Sequence, residues 1–253
     1  MDAGRRIALV TGAAKGIGEA IAAQLGRDGF HVVVSDLAAD EAEATAARLR
    51  GDGLHASALA LDVGRADSVA AAFDRLAAEH GRCDVLVNNA GIAKTFPFLE
   101  FPLENFEATM RVNVTGVLMC SQRAARLMVA RRWGRIVNVA SVAGMRAVGT
   151  GRTAYGTSKA AVIGLTRQMA VELAEHGVTA NAIAPGPVDT PMTQVLHSQA
   201  FRGAYTAAIP MGRYGLPEEI AAVASFLASE GAAYLTGVAL PVDGGFMASG
   251  ARG

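Results

Sequence analysis

Apolar residues along the chain follow two rhythms. Short unbroken runs, such as IALV at 7–10 and HVVVS at 31–35, alternate with longer Ala-rich stretches whose apolar positions recur about every turn of a helix. The first rhythm is that of strands buried on both faces; the second is that of amphipathic helices. Strands are predicted at 7–10, 31–35, 54–61, 85–87, 135–139, 178–183 and 238–242. Helices are predicted at 15–27, 39–50, 66–79, 102–131, 154–175, 191–208 and 216–228. Within 15–27, Ile17, Ile21 and Leu25 fall one turn apart, and within 66–79, Val69, Phe73 and Leu76 share a side. The stretch 102–131 reads as one long helix opened by Pro102, while 191–208 is helical but poorly patterned. This β-α alternation, with no linker and no repeat, predicts an α/β fold. It is a three-layer, doubly wound parallel sheet in a single domain over 1–253. In such sheets ligands bind beyond the carboxyl ends of the strands, and nearly every unusual residue falls there.

Composition narrows the classes. The chain has 253 residues, 51% of them hydrophobic, enough for a sizeable core. Lys plus Arg and Asp plus Glu are both 23, so nothing favours capture of nucleic acid or of an anionic membrane. No stretch approaches the ~20 apolar residues of a membrane span, and the N-terminal apolar run meets glycine too soon for a signal peptide. Cys83 and Cys120 sit in apolar runs outside any CxxC pair and read as buried free thiols. The expectation is a soluble, cytoplasmic protein. His31, His55, His80, His176 and His197 are scattered, with no HExxH, so no metal is indicated. Trp133, at a helix end, reads as packing.

The chemistry gathers in SVAGMRAVGTGRTAYGTSK, from Ser141 to Lys159. Tyr155 and Lys159 are one turn apart and share a helix face. A phenol titrates near ~10 and is a poor base at neutral pH. A lysine cation on the same face is expected to lower that value, giving a proton-transfer device. A Ser-His-Asp hydrolase is excluded by the lack of GxSxG around Ser141.

A nucleotide end lies at the first strand–helix turn. Gly12, Gly16 and Gly18 fall between the first strand and the first helix, where a tight turn lets backbone N–H groups and the helix dipole face a pyrophosphate. Their spacing, GxxxGxG, differs from GxGxxG. Asp36 ends the second strand, where a carboxylate accepts from both ribose hydroxyls and repels a 2′-phosphate, which favours NAD over NADP. Lys15 pulls the other way. Asp62 either accepts from the adenine amino group or caps the helix at 66. Asn88-Asn89-Ala90-Gly91 leaves little bulk beside a cofactor.

TGAAKGIG (Thr11–Gly18), Asp36, Asp62-Val63, NNAG (Asn88–Gly91), Asn113, Ser141, Tyr155-x-x-x-Lys159, Pro185-Gly186 and VDGG (Val242–Gly245) occur in the order seen in short-chain dehydrogenases/reductases of the compact, single-domain kind. The chain resembles that family over essentially its whole length. The resemblance implies a Rossmann-type sheet of about seven strands, a nicotinamide cofactor, and reversible oxidation of a secondary alcohol to a ketone. Carried over, Tyr155 is the acid/base, Ser141 bonds the substrate oxygen, and Lys159 holds the nicotinamide ribose and lowers the tyrosine pKa. Asn113 supports a water linking Lys159 to solvent. Cofactor contacts fall on Gly12, Lys15, Gly16, Ile17, Gly18, Asp36, Leu37, Asp62, Val63, Asn89, Ala90, Gly91, Tyr155, Lys159, Pro185, Gly186, Val188 and Thr190. The Val188 backbone reads the carboxamide, and Thr190 is equally suited to cap a helix beginning at Pro191.

Substrate contacts are expected from Ala93, Phe96, Ala143, Met145, Arg146, Pro187 and Met192. A lid at about 190–213 carries Met192, Val195, Leu196, Phe201 and Met211 on an apolar inner face. Arg146 is either solvated or meets an acidic group. Ser141 and Tyr155 are one residue further apart than is usual in the family, and the extra residue falls in GMRAVGTGR, a pocket wall. A homotetramer pairing the helices at 102–131 and 154–175 is the expected assembly. The leading function is an NAD-dependent secondary-alcohol dehydrogenase or ketone reductase. The alternative is a 3-oxoacyl thioester reductase acting on an acyl-carrier protein, with Arg123, Arg126, Arg131 and Arg132 as a docking patch. The third reading, a non-catalytic dinucleotide-binding protein, normally lacks the tyrosine or lysine that this chain keeps.

Overall fold

Seven apolar runs lie side by side in the computed structural model, which describes residues 4–196 and 198–249. They are β1 (Ile7–Thr11), β2 (His31–Asp36), β3 (Ala56–Ala60), β4 (Val85–Asn88), β5 (Gly134–Val139), β6 (Val178–Pro185) and β7 (Ala239–Val242). All pairs are parallel, in the order β3-β2-β1-β4-β5-β6-β7. The order reverses at β1/β4, where Val10 faces both Val34 and Val87. That switch point is where a doubly wound sheet opens a crevice.

The strands read as solid apolar runs because both faces are covered. On one face Ala8 and Val10 join a core with α1 (Gly16–Arg27), α2 (Ala39–Gly51) and, later in the chain, the helix Pro217–Ala228. On the other face Ile7 and Leu9 meet Phe73 and Leu76 of α3 (Ala66–His80), with Cys120 and Met128 beyond. Alternate residues of one strand thus feed two cores, which makes the three layers. Truncating a side chain as buried as Leu9 to alanine typically costs about 2–5 kcal/mol. Cys83 and Cys120 are both buried and free, and burial raises the Cys120 thiol to about 12.

Two predicted helices are broken. The stretch 102–131 divides into α4 (Leu103–Met110), a π-helical turn at Arg111–Thr115, and α5 (Gly116–Val129). A π turn inserts a residue and rotates the helix beyond it. Here it carries Asn113 inward, and Gly116 then passes so close to β3's exit loop that a Cβ would lie 2.8 Å from the Val63 carbonyl. Following α6 (Thr153–Leu173), the stretch 191–208 divides into α7 (Pro191–Leu196) and α8 (Gln199–Ala208), because Ser198 caps α8 by accepting from the Phe201 N–H. The Leu196 side chain and His197 lie outside the described residues. The last helix, α9, is Pro217–Ala228. Trp133 packs as expected, with the guanidinium carbons of Arg6 and Arg135 at 3.9 and 4.4 Å from its ring and its N–H donating to Glu230. Among the described residues no helix is long and apolar enough to cross a membrane.

Candidate active site

The strand ends β1, β4, β5 and β6 and the start of α6 enclose the chemistry. Ser141 follows β5, and its Oγ accepts from the Ala143 N–H at 3.1 Å, which tightens the turn Val142–Gly144. That turn rests on α6 between Lys159 and Ala160, so closely that a Cβ on Gly144 would lie 2.5 Å from the Lys159 carbonyl carbon. Gly144 therefore allows the turn that carries Ser141 to lie directly on α6, a contact that sequence reasoning missed. Tyr155 and Lys159 share the inner face of α6, with the Lys159 ammonium 5.7 Å from the phenol ring centroid.

Burial is the largest influence on the charge state of both groups. Burial pushes the Tyr155 phenol above its ordinary value, against the Ser141 hydrogen bond and the Arg152 charge, which pull it down. Burial likewise pulls the Lys159 amine down to about 8. Its Nζ donates to the Val139 carbonyl at 2.7 Å. In the protein alone desolvation outweighs the Ser141 hydrogen bond and the Arg152 charge, so the phenol stands above its ordinary value.

Asn113 joins two elements of the site. Its Oδ1 accepts from the Ile92 N–H, and its Nδ2 donates to the Ile92 carbonyl and to Ser158 Oγ, at 2.9–3.0 Å. The side-chain amide thus ties the NNAG loop to α6. Gly91 is pinned beside the site: a Cβ there would lie 3.2 Å from Asn113 Oδ1 and 3.7 Å from Lys159 Nζ. Asn88 donates to Ser121 and Asn138, and Asn138 to Thr166, a buried amide chain linking β4, β5, α5 and α6.

The glycine loop runs over β1 into α1. Gly12 and Gly16 have φ of +63° and +64°, which favours glycine. Gly18 packs under the loop, where a Cβ would lie 2.3 Å from the Gly12 carbonyl. Asn89 braces the loop, its Nδ2 donating to the Thr11 and Gly12 carbonyls at 3.0 and 2.8 Å. Thr11 in turn accepts from the Asn89 and Ala90 N–H groups. The α1 N-terminus has no side-chain cap, so its first N–H groups face the crevice. Thr190 lies opposite, 3.7 Å from where a Gly16 Cβ would stand, and exchanges hydrogen bonds with Thr193 at the start of α7. The loop, the uncapped helix end and Thr190 form a cradle that fits a pyrophosphate.

Other predicted cofactor residues hold the frame. Asp36 accepts from the Ala14 and Ala38 N–H groups at 3.1 and 3.2 Å, so the carboxylate stands at the edge of the cradle. Lys15 is exposed and paired with Glu41 at 2.9 Å, and the Asp36 carboxylate is near enough to act on its charge. Leu37 is 72% exposed. Asp62 neither caps α3 nor stands free: its Oδ1 accepts from the Gly64 N–H, closing a turn that includes Val63. Val188 is buried and bridges to Gly215, and its carbonyl accepts from Thr193 Oγ1. Gly186 stacks on Asp243, where a Cβ would lie 2.8 Å from the Asp243 Cβ. Pro185 ends β6, Ala90 lies in the loop after β4, and Ile17 stands in the first turn of α1.

The roof of the pocket departs furthest from expectation. Met192, Val195 and Met211 are 53%, 85% and 69% exposed, so they do not form the apolar inner face expected of 190–213. Tyr205 of α8 and Ile209 just after it do, packed against Val142, Ala143 and Val148 and against Phe246 from beyond β7. Tyr205 stacks on Phe246 at 5.8 Å and lies 4.7 Å from Phe201. Asp243 holds that C-terminal turn by accepting from the Gly245 and Met247 N–H groups. The only sequence hint of it was the DGG turn. Phe96 and Ala93 are half-buried, and the Phe96 N–H donates to the Gly151 carbonyl, joining the two pocket walls. Met145 and Arg146 sit at the exposed rim, the Arg146 guanidinium 4.8 Å above Phe246, and Pro187 is half-buried below. Among the described residues no cluster suited to a metal ion occurs.

A Rossmann-type sheet with a dinucleotide cradle at its switch point and a buried Ser-Tyr-Lys site beside it defines a class, the nicotinamide-dependent oxidoreductases. Comparison with known proteins fixes the family. A family model described as Enoyl-(Acyl carrier protein) reductase matches residues 12–247. The 3-oxoacyl-(acyl-carrier-protein) reductase of Aquifex aeolicus is 40% identical over 95% of this chain and 96% of its own. The cis-4-hydroxycyclohexanecarboxylate dehydrogenase of Sinomonas cyclohexanicum is 44% identical over 96% and 97%. The crystal structure of a gluconate 5-dehydrogenase from Burkholderia cenocepacia, in complex with NADP and tartrate, superposes with a TM-score of 0.93 at 36% identity over 97% and 96%. The chain belongs to the short-chain dehydrogenase/reductase family, and it is an oxidoreductase that binds a nicotinamide dinucleotide. The preference for NAD over NADP finds no support in these relatives, since the Burkholderia structure holds NADP.

Proposed function

We propose that the protein interconverts a secondary alcohol and a ketone, with Tyr155 as the acid/base. The observation that carries this is the half-buried phenol hydrogen-bonded to the buried Ser141, with the buried Lys159 ammonium on the same helix face. The cofactor, when bound, supplies or accepts the hydride. Ser141 Oγ and the Tyr155 hydroxyl together hold the substrate oxygen and polarise its bond to carbon. In reduction Tyr155 Oη gives its proton to the developing alkoxide; in oxidation it takes the alcohol's proton. Lys159, held by the Val139 carbonyl, stabilises the phenolate left after donation and orients the nicotinamide ribose. Gly12, Gly16, Gly18 and Thr190 would cradle the pyrophosphate, and Asp36 the adenosine ribose. Asn113 holds the Gly91–Ile92 backbone beside Lys159. Met192, Met145 and Arg146 are left as rim contacts.

The second reading, a 3-oxoacyl thioester reductase, draws on the name of the Aquifex relative. The Sinomonas and Burkholderia names instead point to alcohols on compact, carboxylated carbon skeletons. The aromatic roof of Phe201, Tyr205 and Phe246 supports the compact substrate, because packed ring faces suit a small carbon skeleton. Steady-state reduction of 4-oxocyclohexanecarboxylate, 5-oxogluconate and acetoacetyl thioesters, followed by nicotinamide absorbance, tests the choice. Exclusive turnover of the thioesters would refute the first reading.

Asp36 remains the physical reason to expect NAD, since its carboxylate would face a 2′-phosphate. Fluorescence titration with NADH and NADPH decides, and tighter NADPH binding would overturn the preference. Association into a homotetramer in the cytoplasm completes the proposal. Val171 on α6 is 77% exposed and Leu118 on α5 lies at the surface, an apolar face suited to pairing these helices across a two-fold axis. A monomer by light scattering at micromolar concentration would refute it.

A further inference from the structure

Three guanidinium groups converge on the substrate side of the pocket, beyond what hydride transfer requires. Arg152 precedes α6, and its guanidinium carbon lies 5.6 Å from the Phe201 ring. Its charge acts on the phenols of Tyr155, Tyr205 and Tyr214, although burial sets the direction for each of them. Arg152 is therefore close both to the reacting hydroxyl and to the roof. Arg202 of α8 stands on the same side, its guanidinium carbon 4.4 Å from the Tyr214 ring. Its Nη2 donates to Asp189 Oδ1 at 3.2 Å, while its Nη1 is buried with no hydrogen-bond partner. Arg146 adds a third charge at the rim, above Phe246.

A buried guanidinium N–H without an acceptor is costly, and a protein keeps one where a ligand completes it. The surroundings say which ligand. The walls are aromatic, the nearby charges are mostly positive, and a guanidinium presents paired donors that match a carboxylate. We propose that the substrate carries a carboxylate on the carbon skeleton that bears its hydroxyl or keto group, and that Arg202 and Arg152 hold it beneath α8. This rests on the alcohol–ketone reading and names the substrate class, a compact hydroxy acid or oxo acid. It also gives the 144–152 loop a purpose: the segment that is longer than usual in the family delivers Arg146 and Arg152 to the pocket. Held at its carboxylate, the substrate would present the carbonyl to Ser141 and Tyr155 in one orientation, and closing α8 would follow from binding.

The test compares 4-oxopentanoate and 4-oxocyclohexanecarboxylate with their methyl esters, which keep the ketone and remove the charge. For the wild type, kcat/KM is expected to favour acid over ester by tenfold or more. In Arg202→Gln and Arg152→Gln that ratio is expected to fall about 10- to 100-fold, the range for hydrogen bonds to a charged group. Arg202→Lys, which keeps the charge, should retain part of the ratio and guards against a variant that merely misfolds. Calorimetric binding of cyclohexanecarboxylate reads the clamp without turnover: binding lost in Arg202→Gln supports it even if neither ketone is reduced, in which case the alcohol–ketone reading fails alone. Equal turnover of acids and esters by the wild type, or ratios unchanged in both Gln variants, overturns the proposal and leaves that reading standing.

Discussion

Gly144→Ala tests whether the turn after β5 sets the catalytic distance. The turn Val142–Gly144 lies flat on α6, and a Cβ at 144 would stand 2.5 Å from the Lys159 carbonyl carbon and 2.7 Å from the Ala160 nitrogen. Ordinary contact begins near 3.4 Å, so turn and helix must separate by about 1 Å. The obstacle is helix backbone, which cannot swing aside as a side-chain tip would. Ser141 moves with the turn, whereas Tyr155 and Lys159 move with the helix, so the strain falls on the Ser141–Tyr155 distance. A displacement of that size can lower turnover about 100-fold, and overpacking a tight contact costs about 1–3 kcal/mol of stability. The cofactor cradle lies on other elements, so NAD(P)H should bind within threefold of wild type. The assay is steady-state ketone reduction with cofactor titration by fluorescence and a thermal melt on the same sample. A folded Gly144→Ala variant with kcat within threefold of wild type would show that the turn does not position the serine. Gly156→Ala probes the same contact more gently, since its Cβ would meet the Ala143 carbonyl at 3.2 Å, and should cost only a few-fold in kcat.

Tyr155→Phe is expected to lower turnover by at least about 100-fold with NAD(P)H binding intact; a near-normal rate would end the acid/base assignment. Lys159→Met should be inactive yet more stable at neutral pH. The amine falls from 10.5 to about 8 on folding, so below pH 8 the folded state bears the whole cost of a buried ammonium, and that cost is relieved as pH rises toward 10.5. The variant's advantage, about 3 kcal/mol at most, should shrink between those values; denaturant midpoints differing equally at pH 7 and pH 10 would contradict this. Asp36→Ser removes the carboxylate at the cradle edge and should raise the NADPH/NADH affinity ratio about 10- to 100-fold, consistent with one charge pair at moderate dielectric. An unchanged ratio would assign cofactor choice to other residues.

The sheet and its helices were legible because their signals are local. A four-residue apolar run or a one-turn spacing needs no distant partner to be read. Tyr155 and Lys159 were legible for the same reason. The π turn at Arg111–Thr115 was not, because Asn113 is drawn inward by Ile92, which the sequence places 21 residues away. Met192, Val195 and Met211 obscured the inward-facing residues of this segment by being apolar and exposed. The residues that do face inward, Phe201, Tyr205 and Ile209, repeat at four-residue steps along α8 and its C-terminal cap, a pattern present in the sequence and obscured by the break at Ser198. Phe246 follows the last strand in a turn held by Asp243, and its packing against Val142, Val148 and Ile209 is long-range and has no periodic signature.

The opposite shifts of Tyr155 and Lys159 have one cause. Burial disfavours charge, so the phenol is held neutral and the amine is drawn toward neutrality. At pH 7 the phenol therefore retains a proton to give, as ketone reduction demands, and Lys159 remains mostly charged beside it. Donation creates a phenolate in the place where a cation and the Ser141 hydroxyl stand ready, so the interactions that are weak in the resting site grow as charge develops. Oxidation must start from the form that burial disfavours, and needs either higher pH or an added positive charge next to the ring. The same dry surroundings that keep the resting phenol protonated thus strengthen the lysine's hold on the phenolate once it forms.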